Sequence, residues 1–159
     1  MPFDVTSFIT ELKTNTENFS QTLLASPTQG KWQAADICEH IIIFEKLLLR
    51  RIPQLQDKAE AKNYGAEKLQ RILIGMRNKK IVAPAMVEPK QRFATVLAAD
   101  EAWQEHRAYF LELLQSDKIV VDDRTYEHPF LGVMTVEDWM YFTIQHTERH
   151  RMQIEELQA

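Results

Sequence analysis

Apolar residues recur along this chain at spacings of three and four, the period of a helix with one buried face, in four long runs. The first holds Val5, Phe8, Ile9, Leu12, Phe19 and Leu23 and stops at "SPTQG", whose Pro and Gly end it. The second, "QAADICEHIIIFEKLLLRRI", sets Ile37, His40, Ile41, Phe44, Leu47 and Leu48 on one face until Pro53 breaks it. The third runs from Arg92 to Gln115 and aligns Phe93, Val96, Trp103, Phe110 and Leu114 with no internal Gly or Pro. The fourth opens at "TVED", where Thr135 and Asp138 form a capping-box pattern, and turns Trp139, Thr143, His146, His150, Ile154 and Leu157 inward.

The connections read differently. "AKNYGAEKLQRILIGMRN" predicts a short helix over Ala66 to Arg77, while "KKIVAPAMVEPKQ" has two prolines and reads as loop. "IVVDDRTYEHPFLGVM" carries Asp122, Asp123, Pro129 and Gly132; it also reads as loop, although "KIVV" beside it has strand propensity. Four long amphipathic helices and one short one predict an all-α four-helix bundle. The extra short helix falls between the second and third, and residues 1–159 form one domain.

Composition narrows the partners. The formal charge is −4 and no basic block exceeds "NKK" or "LRR", so there is no footprint for a nucleic-acid backbone. The longest apolar run is three or four residues, against the roughly 20 that a membrane-spanning helix needs. The start "MPFDVTSFITEL" lacks a basic segment followed by an apolar one, and the lone Cys38 has no disulfide partner, so a cytoplasmic location is expected.

The unusual chemistry sits in the fourth run. His146 and His150 lie one turn apart on an inward stripe, where they can aim both rings at one point. A single His on an apolar face is more often a hydrogen-bonded core residue than a ligand. Two neighbouring buried imidazoles are harder to satisfy, at about 1–3 kcal/mol per unpartnered group, and a divalent metal would use both lone pairs. His40, between Ile37 and Phe44 on the second stripe, supplies a third donor. Three inward histidines would leave coordination positions open, as in catalytic sites.

Other readings are weaker. In "HTERH" Thr147 stands where a zinc protease needs its general-base Glu, so that activity is excluded. Cys38 points to another face than His40 and reads as a packed residue. His106 flanks the Trp103 and Phe110 stripe and reads as structural, while His128 could reach the mouth of the site. Glu39, Glu45 and Glu148 could orient a ligand imidazole, but each neighbours a ligand stripe without lying on it and reads as solvated surface. Arg149 and Arg151 face away from His150, toward solvent or a second chain.

Two stretches carry a resemblance. "KWQAADICEHIIIFEKLLL", with a Trp eight residues before the inward His, and "EHPFLGVMTVEDWMYFTIQHTERHRMQIEEL" together resemble the DinB/YfiT-like superfamily across most of the chain. The resemblance implies an up-down-down-up four-helix bundle that binds a divalent metal through His40, His146 and His150. Three imidazoles with open positions suit Zn, Ni, Mn or Fe, and the resemblance implies a homodimer as the assembly. It implies a small-molecule substrate, either a low-molecular-weight thiol (glutathione, mycothiol or bacillithiol) used by a thiol S-transferase, or an ester or amide cleaved by a metal-dependent hydrolase. A non-enzymatic metal-binding stress-response protein is the third alternative. Relatives carry Ser after the motif Trp, where this chain has Gln33.

Overall fold

The computed structural model describes residues 3–26, 34–76 and 84–157. Trp32 and Gln33, from the first motif stretch, and Arg77, at the expected end of the short helix, lie outside them. Among the described residues there are five α-helices: α1 Val5–Leu24, α2 Ala34–Arg51, α3 Gly65–Leu73, α4 Val96–Gln115 and α5 Val136–Leu157. Asp4 caps α1 by accepting the Ser7 N–H, and Pro53 turns the end of α2 into a single 3-10 turn, Ile52–Gln54.

Cross-helix contacts give the directions. Asn15 meets Ile144 and Thr22 meets Arg151, so α1 and α5 run parallel. Cys38 meets Ala99 and Glu45 meets His106, so α2 and α4 are parallel too. Ser20 meets Asp100 while Thr16 meets Trp103, and His40 meets His146, so the two pairs oppose each other. α1 and α2 each pack more against α4 and α5 than against one another, which is the up-down-down-up bundle with α3 added against α5.

The core has two apolar clusters, one around Phe8, Leu12, Leu48, Phe110 and Met140, the other around Phe19, Leu23, Ile41, Trp103 and Ile154. Between them lies a polar layer to which each long helix contributes: Asn15 and Thr16 from α1, Glu45 from α2, His106 and Arg107 from α4, Thr147 from α5. Arg107 is 1% exposed and Glu45 is fully buried. Its guanidinium donates to both Glu45 oxygens, to Asn15, to Thr16 and to Thr147 at 2.8–3.0 Å, so the buried charges are fully partnered. Glu45 therefore lies in the bundle interior and not on solvated surface; its spacing of four from Ile41 and three from Leu48 places it on the stripe itself.

Several elements differ from the sequence reading. α4 begins at Val96, because Thr95 caps it by accepting the Ala98 N–H and Gln91 upstream adopts a φ of 56°. The segment read as loop before α5 contains an antiparallel hairpin, β1 Thr125–His128 and β2 Gly132–Thr135, and "KIVV" is not part of it. Gly132, at φ 80°, lets the chain reverse after Pro129. The hairpin is anchored by Trp139, whose indole N–H donates to the Tyr126 carbonyl at 3.0 Å.

Leu157 and Val5, expected inward, are 47% and 37% exposed, because each sits in the end turn of its helix. Thr135 does cap α5, accepting the Asp138 N–H at 3.2 Å. The Asp138 carboxylate does not complete the capping box; it accepts the Tyr64 and Gly65 N–H groups at 2.8 and 3.0 Å and so caps α3. No helix among the described residues is long and apolar enough to cross a membrane.

Candidate metal centre

Antiparallel packing of α2 on α5 brings His40 opposite the His146 and His150 turn. The Nε2 atom of His146 lies 3.3 Å from Nε2 of His40 and 3.2 Å from Nε2 of His150. One ligand atom from each residue lies within 4.8 Å of the others. His40 and His146 are buried and His150 is half-buried, so the cluster sits just inside the bundle surface with one ring at the edge.

The outer nitrogens define what the inner ones can do. His40 Nδ1–H donates to the Val87 carbonyl at 2.8 Å, and His150 Nδ1–H donates to Gln153 Oε1 at 2.8 Å. A neutral imidazole has one N–H, so both Nε2 atoms carry lone pairs. His146 Nδ1 is buried with no hydrogen-bond partner among the described residues. His146 has a single ring proton, and on Nε2 it could serve only one of its two close neighbours. A divalent cation accepts all three lone pairs at once, so the donor set fits a metal.

The rings are held neutral. Burial lowers the His146 pKa well below the ordinary imidazole value, with further lowering from His150, His40, His128 and Arg149. Burial, then His40, brings His150 down to about 3, against an opposing hydrogen bond from Gln153. His40 is lowered by burial, partly offset by its bond to Val87. All three are in the ligating form at neutral pH.

The walls are aromatic. The Phe44 ring centroid is 4.7 Å from that of His146, and Phe142 stacks on His146 at 5.3 Å and 17°. His128, at the end of β1, is not in the cluster: its ring packs on Phe142 at 4.9 Å and on Trp139 at 5.3 Å. Its Nδ1 accepts the Phe130 and Leu131 N–H groups at 3.1 Å, which leaves the proton on Nε2, and burial lowers its pKa to about 4.

His106 is structural, paired with Glu45 at 2.8 Å, and Cys38 is buried with its thiol on the Ala99 carbonyl. Arg149 is not turned out to solvent: it is half-buried and donates to the Leu73 carbonyl at the end of α3. Arg151 pairs with Glu148 and Glu155, so Glu148 is a half-buried ion-pair partner. Glu39 is 2% exposed and accepts the Lys90 and Arg92 N–H groups at 2.8 and 3.1 Å. Its expected place on solvated surface is therefore wrong, because a segment from elsewhere in the chain covers that face of α2. Arg107 and Val87 escape sequence reasoning; for Arg107 the spacing of four from Trp103 and three from Phe110 was an available signal, and for a backbone carbonyl there is none.

Comparison with family models matches residues 14–154 to the DinB superfamily. The chain belongs to the DinB superfamily. Comparison with curated proteins and with solved structures gave no match. For this DinB superfamily chain the matched span takes in α2 and α5, and with them all three histidines.

Proposed function

We propose that this DinB superfamily protein is a metal-dependent enzyme that activates a small thiol, with His40, His146 and His150 as the metal ligands. The observation that carries this reading is the convergence of three Nε2 atoms, two of them fixed as lone pairs by hydrogen bonds at the far side of the ring. A divalent cation at such a site supplies the positive charge that deprotonates a coordinated thiol near neutral pH. Three neutral imidazoles leave that charge uncompensated, which favours an anionic sulfur over a neutral partner. Zn, Ni, Mn and Fe all suit the donor set.

Thiol activation is favoured over hydrolysis by the carboxylates. Among the described residues, those near the ligands in sequence are already engaged: Glu39 by two backbone N–H groups, Glu45 by Arg107 and His106, Glu148 by Arg151. None is left to serve as general base, which weighs more against water, with an ordinary pKa of about 15.7, than against a thiol, at about 8.5, whose proton passes to solvent. Phe44 and Phe142 offer an apolar wall to the body of the electrophile.

The test is to load purified protein with Zn(II) or Co(II) and challenge it with glutathione, mycothiol, bacillithiol and a panel of electrophiles and esters. Metal-dependent thiol consumption, with a sulfur-to-cobalt charge-transfer band on thiol addition, is expected. Ester cleavage without thiol would favour the hydrolase. Equal inertness of apo and loaded protein would leave a non-enzymatic metal-binding role.

A further inference from the structure

A metal-ligating imidazole is held in one tautomer and ring orientation when its outer ring nitrogen donates to a fixed acceptor. His150 finds its acceptor on its own helix, in Gln153. For His40 it is the carbonyl of Val87, which belongs to neither ligand-bearing helix and lies 47 residues away in sequence. The orientation of His40 thus depends on what holds the segment around Val87 in place.

That segment has little structure of its own. A single 3-10 turn, Ala85–Val87, stands between Pro84 and Pro89, and Gln91 has a φ of 56°. The Val87 side chain is buried, and the polar tie to the bundle comes from the residue next to the ligand. Glu39 Oε2 accepts the Lys90 N–H at 2.8 Å and Oε1 accepts the Arg92 N–H at 3.1 Å, with the Arg92 guanidinium 3.9 Å away. Adjacent helix positions project about 100° apart, so Glu39 and His40 grip the same strap from two sides of α2, one at residues 90 and 92, the other at 87. A carboxylate with 2% exposure is costly to bury, and here both oxygens are matched to main-chain donors.

We infer that Glu39 is a positioning residue for the metal centre: by fixing the main chain at Lys90 and Arg92 it fixes the Val87 carbonyl, which holds the Nδ1–H tautomer and the ring rotation of His40. The inference rests on the metal reading above. It differs from a purely structural role for Glu39, because it requires that metal affinity fall by more than loss of stability alone produces.

The experiment compares wild type, Glu39→Ala and Glu39→Gln as full chains, with Leu114→Ala as a control that opens a cavity in the Phe110 cluster away from the strap. Zn(II) affinity is measured by chelator competition, and ring N–H protons by NMR of the zinc-loaded proteins. Glu39→Ala is expected to weaken Zn(II) binding about 10- to 100-fold and to lose the His40 Nδ1–H signal while that of His150 persists. Glu39→Gln, with one oxygen left to accept, falls between and carries the test if the Ala variant does not fold. Leu114→Ala keeps wild-type affinity. Unchanged affinity and an intact His40 signal in both Glu39 variants, beside a zinc-loaded wild type, overturn the inference alone; a wild type that takes up no zinc overturns it together with the metal reading.

Discussion

Arg107 on α4 closes on Glu45 of α2 through two parallel hydrogen bonds, Nε to Oε1 and Nη2 to Oε2, each 2.8 Å long. The pair sits between the two apolar clusters of the core and reaches α1 and α5 through Asn15, Thr16 and Thr147. Removing one partner strands the other charge in the interior. Glu45→Ala is therefore expected to destabilise the fold by about 3–5 kcal/mol, whereas replacing both partners with apolar residues of similar volume costs much less. Urea denaturation of the two variants checks this, and equal losses would contradict it.

The same pair has a pH signature. Burial by itself would raise the Glu45 pKa, but the Arg107 charge and the His106 hydrogen bond outweigh it and hold the carboxyl below its ordinary value. A folded-state pKa that is depressed adds stability above the unfolded value, about 4.3 for Glu. That stability is lost as pH falls through the lower folded value. Wild type should thus lose stability between pH 5 and pH 3 more steeply than a variant with both Glu45 and Arg107 made apolar.

His146 lies between the other two imidazoles, so its loss removes the contact that joins them. His146→Ala is expected to abolish retention of zinc through dialysis, as measured by elemental analysis. Full metal stoichiometry in this variant would refute the proposed ligand set.

Neutral rings also govern proton release. Free imidazole titrates near pH 6.5, but burial holds all three histidines lower, His150 at about 3. Metal uptake at pH 7 should therefore release almost no protons from the ligands, which calorimetry in buffers of different ionisation enthalpy can measure. In the apo protein the sign is fixed likewise. Groups whose folded pKa is below the unfolded value give their full stability above about pH 6.5 and lose it as pH falls toward the folded values. His128, at about 4, adds to the effect. The urea midpoint of apo protein should fall from pH 7 to pH 5.

Asp138 spends its carboxylate on the N-terminus of α3, leaving the cap of its own helix to Thr135. Asp138→Ala is expected to cost about 1–2 kcal/mol and to release amide-exchange protection in α3 while α5 stays protected. Uniform loss along both helices would argue against this local role.

The long helices were readable because their period is local: "FITELKTNTENF" and its counterparts declare a buried face without knowing what covers it. The His146 and His150 spacing was readable for the same reason. The hairpin was not, since four-residue strands such as "TYEH" and "GVMT" offer two alternations each and depend on Trp139 and Asp57 for anchorage. Glu39 and Glu45 were misread because a helical wheel says nothing of the residues that arrive opposite, Lys90 and Arg92 for one and Arg107 for the other.

The sequence by itself determined the four amphipathic helices, the punctuation between them and the presence of three histidines on inward stripes. Those properties follow from side-chain period and backbone propensity within a few residues. Only the tertiary structure decided that α2 and α5 bring the three Nε2 atoms together, that Val87 orients His40, and that Glu45 and Arg107 share one buried layer. Each of these depends on the packing of segments tens of residues apart, and a hydrogen bond to a distant backbone carbonyl leaves no mark on local sequence pattern.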